Sequence, residues 1–133
     1  MRTSNQTVET TTRTNDLKEL IQTKLKTLTT DVYYKIASTK AMYPHIVFNF
    51  ERVDLNDLSR QDYILRIDIW DKNEDSNPAD ELADKVENLL QAQNLPQTHV
   101  LPTFYLMDRH DIEDSNKEIQ HREVRFQVQN YER

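Results

Sequence analysis

No glycine occurs anywhere in the 133-residue chain, although average usage near 7% would place about nine in this length. The omission removes every device that needs a backbone without a Cβ. A phosphate-cradling loop, a dinucleotide fingerprint and the usual nucleophile elbow are all excluded, and most nucleotide enzymes go with them. The turns must rely on Asn, Asp, Ser and Pro, which tolerate or preset turn dihedrals by other means.

A chain of this length fits one domain with one modest core. Hydrophobic residues make up 36% and charged residues 30%, a balance that reads as globular rather than disordered. The formal net charge of -6 offers no electrostatic footprint for wrapping a phosphate backbone, which argues against tight nucleic-acid binding. Cysteine is absent, so disulfides, thiolate zinc sites and cysteine nucleophiles are excluded, as suits a protein made in a reducing compartment. No apolar run approaches the roughly 18 to 20 residues needed to span a bilayer. MRTSNQTVETTTRTN lacks a signal-peptide core, so synthesis in the cytoplasm is expected, and the Asn5-Gln6-Thr7 triplet is read as a chance glycosylation acceptor.

Residues 1–14 are threonine-rich and polar and are expected to form a flexible arm ahead of a single domain spanning 15–133. From Asn15, Leu17, Leu20, Ile21, Leu25 and Leu28 recur at helical spacing, predicting an amphipathic helix capped by Thr14 or Asn15. Strands are predicted in VYYKIA (32–37), HIVFNFERV (from His45) and QDYILRIDIW (61–70). In the last of these Tyr63, Leu65, Ile67 and Ile69 share one face, and Ile64, Arg66, Asp68 and Trp70 the other. A second helix follows, with Asn77 as N-cap, Pro78 in its first turn, and Asp80 and Glu81 favouring the positive end of its dipole. Its stripe is Ala79, Leu82, Ala83, Val86, Leu89 and Leu90; burying the four larger side chains contributes roughly 1.5 to 3 kcal/mol each before entropy is subtracted. After Pro96, THVLPTFYLMD reads as a strand, RHDIEDSNKE as a polar connection, and EIQHREVRFQVQNYE as a closing strand. The fold class expected is α+β: about five strands in a mainly antiparallel sheet, two helices packed on one face, in the order α-β-β-β-α-β-β.

Three features invite chemistry. DKNEDSNPADEL (71–82) sets Asp71, Asn73 and Asp75 at the first ligand positions of a calcium loop, but Ser76, Leu82 and an entering strand replace the glycine, the bidentate glutamate and the helix that such a loop requires. Its acids read instead as turn formers and helix N-terminal charges. His99, His110 and His121 are spaced by eleven, and a terminal hairpin would bring His110 and His121 together; without an i, i+4 pair they read as exposed strand-end histidines. Pairs such as Asp111 and Glu113 are unavoidable among 23 acidic residues, and none stands out as a general acid or base. Tyr33, Tyr34, Tyr63, Tyr105 and Trp70 read as strand packing, since a stacking platform for nucleic acid also needs a basic groove. The basic cluster His121, Arg122 and Arg125, broken by Glu123, is the stretch in which a subunit contact is expected. No catalytic residue, metal or cofactor is assigned.

The leading helix, the proline-led strand YPHIVFNF, YILRIDIWDKN followed by PADELADKVENLL, and the acidic connection into EIQHREVRFQV together resemble the tail-terminator, or tail-completion, family of long-tailed bacteriophages over roughly residues 15–131. The resemblance implies a non-enzymatic virion protein at the tail–head junction. It would be a ring, commonly a hexamer, that caps the tail tube, ends its polymerisation and presents a surface to the head-completion (connector) protein. Its implied partners are itself, the tail-tube protein and the connector; DNA would pass through the lumen without specific binding, and no membrane is involved. Candidate contact residues are Arg66, Asp68 and Trp70 of the third strand, Asp108, Asp111, Glu113 and Asp114 of the acidic connection, and His121, Arg122 and Arg125. The acidic connection is expected to touch the tube or lumen rather than fold onto the core. Two alternatives stay open: a head-closure or tube protein of the same virion, and a small metal-binding or enzymatic module.

Overall fold

The computed structural model describes residues 2–53, 60–91, 95 and 100–132, with side chains described from Thr14. Among them the elements run α1 (Arg2–Leu25), β1 (Val32–Tyr34), β2 (His45–Val53), β3 (Arg60–Lys72), α2 (Asn77–Leu90), β4 (Val100–Ile112) and β5 (Ile119–Glu132). The order is the one the sequence predicts. His99, one of the histidines weighed above, lies outside the described residues.

Alternation within the strands builds the sheet. Its order is β1-β2-β3-β5-β4, with β1 parallel to β2 and every other neighbour antiparallel. Ile46 and Phe48 of β2, Leu65, Ile67 and Ile69 of β3, Phe104 of β4, and Val124, Phe126 and Val128 of β5 all turn to one side and are buried there. Leu17, Ile21 and Leu25 of α1 and Leu82, Ala83, Val86 and Leu90 of α2 close over them as one core. Both helical stripes therefore lie on the same face, and among the described residues the second face of the sheet has no helix on it.

Four local readings change, the first being that β1, expected over 32–37, ends at Tyr34, with Lys35 turning out of the strand at positive φ. Helix α1 begins at Arg2, inside the stretch expected to be an arm, so Thr14 and Asn15 are interior rather than capping residues. It ends at Leu25, where the Thr27 hydroxyl donates to the Lys24 carbonyl at 2.6 Å and Leu28 N–H turns back to Leu25 O at 3.0 Å; Leu28 reaches the core from that turn. In α2 Asn77 is already helical and Ser76 holds the cap position without a side-chain bond. Finally β4 does not stop at Asp108 but runs on to Ile112.

Without glycine, the loops at the end of β3 and between β4 and β5 are built from repeated Asn and Asp turns. Asn73 Oδ1 accepts from Asp75 N–H and Asp75 Oδ1 from Asn77 N–H, while Asp114 Oδ1 accepts from Asn116 N–H and Asn116 Oδ1 from Glu118 N–H, all between 2.9 and 3.0 Å. Each is a side chain bonding the backbone two residues on, the means by which Asn and Asp make turns. Asn73 N–H then donates to Glu118 O at 2.7 Å, tying the two loops together. Lys35, with φ of 68°, is the position where the left-handed region is filled by a residue that pays for its Cβ.

Candidate functional site

The register of the sheet decides which candidate side chains lie on the face that, among the described residues, carries no helix. Even-numbered residues of β3 and odd-numbered residues of β2 and β5 point to it. Cross-strand rows then read His45–Trp70–His121–Ile112, Val47–Asp68–Glu123–His110 and Asn49–Arg66–Arg125–Asp108.

The first row is a ladder of rings. Trp70 stacks on His121 with centroids 3.6 Å apart and planes 19° from parallel, and on its other flank lies parallel to His45 at 6.4 Å. Tyr43 continues the ladder at 5.1 Å from His45. Because a carboxylate only accepts, His121 Nε2–H donates to Asp68 Oδ1, at 2.8 Å. His45 donates from Nδ1 to the Met42 carbonyl at 3.3 Å. Burial lowers the His45 pKa from its ordinary value, against the opposing pull of Met42 O and Asp31.

Charges on the next rows neutralise one another. Arg66 and Arg125 stand directly opposite on β3 and β5, an unfavourable placement for like charges. Each is answered by acid: Arg66 lies 3.7 Å from Asp68 and 3.8 Å from Glu123, and Arg125 forms a two-pronged pair with Asp108. Hydrogen bonding from Arg125, helped by His110, pulls the Asp108 pKa down to about 2.

A second ionic cluster sits on the opposite, helix-bearing side. After Leu106 the β4 register slips by one residue, so Met107 is a bulge and Arg109 rather than Asp108 turns toward α2. Arg109 reaches Asp84 at 2.6 Å, Glu87 at 2.8 Å and Asp80 at 3.2 Å. Arg122, only 5% exposed, donates to Asp80 at 2.7 Å and meets Asp111 at 2.9 Å. Arg122 is the main reason that the Asp80 pKa falls. These pairs fasten α2 to the terminal hairpin.

The candidate residues therefore divide. Arg66, Asp68, Trp70, Asp108, His121 and Arg125 share the uncovered face; Asp111 and Arg122 lie on the helix side; Glu113 and Asp114 are exposed in the hairpin loop. His121 is buried at 8% exposure, not an exposed strand-end residue, because Trp70 covers its ring. The hairpin does form, but His110 turns to Asp108 at 3.3 Å and His121 to Asp68, so the two imidazoles hold different partners. Nor does the acidic connection stand apart from the domain: Asp108 and Asp111 are strand residues paired to β5, which leaves 113–118 as the loop. His45 and Arg109 are not among the sequence candidates, and Asp80 reads from sequence only as a charge at the helix N-terminus; the odd position of His45 in β2, on the side of Val47 and Asn49, is the available sign for the first.

Among the described residues Asp68 is the side chain bonded to the His121 ring, and a His–Asp pair without a hydroxyl or thiol is not a nucleophile and its base. No group of three or more His, Asp or Glu side chains is placed to hold a metal ion among the described residues. Asp71, from the calcium-like stretch, is 7% exposed and accepts from Lys72 N–H.

One sheet, backed by two helices and carrying mutually neutralised charge on its other face, defines a small α+β building unit. The chain belongs to the family described as Tail completion protein gp17, whose model matches residues 19–129. It is a tail structural protein of a virion. Its fold is similar to that of a chain in a solved structure titled "Virion of native gene transfer agent (GTA) particle", with a TM-score of 0.73 at 10% identity over 89% of this chain and 96% of that one. At that identity the likeness is one of fold. A comparison with curated proteins found no match.

Proposed function

We propose that this chain caps the tail tube as a hexameric ring, ending tube polymerisation and joining the tail to the head connector. Membership of the tail-completion family over residues 19–129 carries the reading. A ring of identical subunits needs one heterologous interface whose rotation closes and two axial faces of different character. A stiff sheet with one face committed to its own core and the other free supplies a subunit of that kind. The net charge of -6 per copy, repeated around a lumen, repels DNA and lets it slide through without specific binding. Arg66, Asp68, Trp70, His121 and Arg125 are the contact candidates on the free face, and the 113–118 loop is the part of the acidic connection left to meet tube or lumen.

The test is to mix purified protein with tail-tube subunits and, separately, with connector, and to image the products. Caps one ring thick on tube ends that stop growing, with a mass near six times 15.9 kDa, are expected. Tubes built from this chain would instead make it a tube protein, and attachment to the connector alone a head-closure protein.

A further inference from the structure

Two groups of large apolar side chains remain exposed at opposite edges of the sheet. The loop between β1 and β2 presents Ile36 at 80% exposure, Met42 at 71% and Tyr43 at 45%. The outer strand β4 presents Tyr105 at 42%, Met107 at 46% and Ile112 at 38%. β1 and β4 are the outermost strands, which at the usual strand spacing sets the groups about 19 Å apart. Scattered apolar residues need no explanation, but grouped ones mark contact sites.

The groups are matched in charge. From Lys35 to Pro44 the loop has two lysines and no carboxylate, and both Lys35 and Lys40 are exposed. Beside the β4 group the hairpin carries exposed Glu113, Asp114 and Glu118 against one lysine, Lys117. The Ile112 end of the β4 group is also matched in height to the loop, while Tyr105 lies opposite Gln127, six residues along β5 from His121, the partner of Ile112. The loop leads directly into His45 and the hairpin directly follows Ile112, and these two residues end the same cross-strand row. A head-to-tail contact between points at equal height along the strands adds no rise per copy, which is what separates a closed ring from an open helix. The loop is preformed for such a role. Asp31 Oδ2 accepts from Met42 N–H at 2.6 Å, and Ala41 N–H donates to Ser38 O at 3.0 Å, so little ordering remains to be done on binding.

We infer that the Ile36–Met42–Tyr43 knob of one copy seats on the β4 edge of the next at its Ile112 end, with Lys35 and Lys40 facing the acidic hairpin. The occupant of each patch is a second copy of this chain, and the inference rests on the ring reading above. It places the ring contact at the two sheet edges rather than at the centre of the uncovered face.

The absence of native cysteine makes cross-linking clean. Met42→Cys and Ile112→Cys are combined in one chain, assembled into particles and treated with a short bis-maleimide. A ladder in steps of 15.9 kDa is expected from the pair and none from either single substitution. A ladder missing from the pair, while the extracted assembly keeps the mass of a ring, overturns this contact and leaves the ring intact. Cross-linked dimers from Met42→Cys alone overturn it as well, since they require like patches to meet. An extracted mass of a single chain overturns the ring reading itself.

Discussion

Trp70 and His121 face each other across β3 and β5 and stack with ring centroids 3.6 Å apart. The contact couples the two strands on the face that no helix covers, and Trp70 is the sole tryptophan of the chain, so its emission reports this surface alone. Replacing His121 by Ala opens one face of the indole to water. A red shift of the emission is expected, with a coupling energy between Trp70→Leu and His121→Ala of about 0.5–1.5 kcal/mol in a double-mutant cycle. Additive effects would mean that the stack is geometry without energy.

Two titrations separate along the pH axis. Burial depresses the His45 pKa below the ordinary histidine value. The unfolded chain therefore takes up that proton first, and stability falls as pH drops from about 6.5 toward the folded value. Asp108 acts in the same sense at lower pH: Arg125 holds it near 2, so its contribution is complete above the unfolded value near 4 and is lost as pH falls from there through about 2. Urea midpoints measured from pH 7.5 to 5 in His45→Gln should show a flatter slope than the parent. Asp108→Asn should leave that slope unchanged and flatten the decline below pH 4.

Legibility of the chain followed its periodicity. Strands with clean alternation, such as Tyr63 to Trp70, and the stripe from Ala79 to Leu90 gave their elements and faces directly, because burial on one side forces the period. What stayed hidden was long-range. Nothing near Arg122 in sequence reveals that Asp80, forty-two residues earlier, lies against it, and His121, Arg122 and Arg125 group as one cluster by position although the middle member points to the opposite face. The start of α1 was missed because threonine and polar residues carry no stripe there, and the end of β4 because its bulge breaks the alternation at the point where the sequence turns polar.

Arg122 and Asp80 are unequal partners. The arginine side chain is 6% exposed and the aspartate 39%, so removing the acid leaves a buried charge that cannot neutralise itself, with the largely exposed Asp111 as its remaining carboxylate partner among the described residues. Asp80→Ala is expected to lower unfolding free energy by about 1–3 kcal/mol. Arg122→Met fills the same space without charge and leaves Asp80 to Arg109 and water, so the loss should be below about 1 kcal/mol. Denaturant melts of the two variants in the reverse order would show that Arg122 has other essential partners.

Val86 sits at the middle of the α2 stripe with no exposed surface. Val86→Asp puts a carboxylate among Leu82, Leu90 and the sheet, a change worth more than about 4 kcal/mol in a domain whose total stability is of order 5–15 kcal/mol. Loss of the cooperative transition is expected by circular dichroism. Its neighbour Lys85, exposed on the same helix, serves as the control: Lys85→Ala should shift stability by no more than about 0.5 kcal/mol.

The bulge at Met107 offers a test of how β4 serves two faces at once. Leu106 faces the helices, Asp108 faces Arg125 on the uncovered side, and Arg109 faces α2 again. Remove Met107 and these three residues fall into regular alternation with every one of them still on its present face. Deleting Met107 should therefore cost less than about 1 kcal/mol and keep the core. Deleting Arg109 also restores regular alternation, but it turns Asp108 toward Asp80, Asp84 and Glu87 and leaves Arg125 without its partner; a loss of about 2–4 kcal/mol is expected. Urea unfolding of both deletions decides the matter, and equal losses would show that the extra residue is needed for the bend of the strand rather than for the placement of its neighbours.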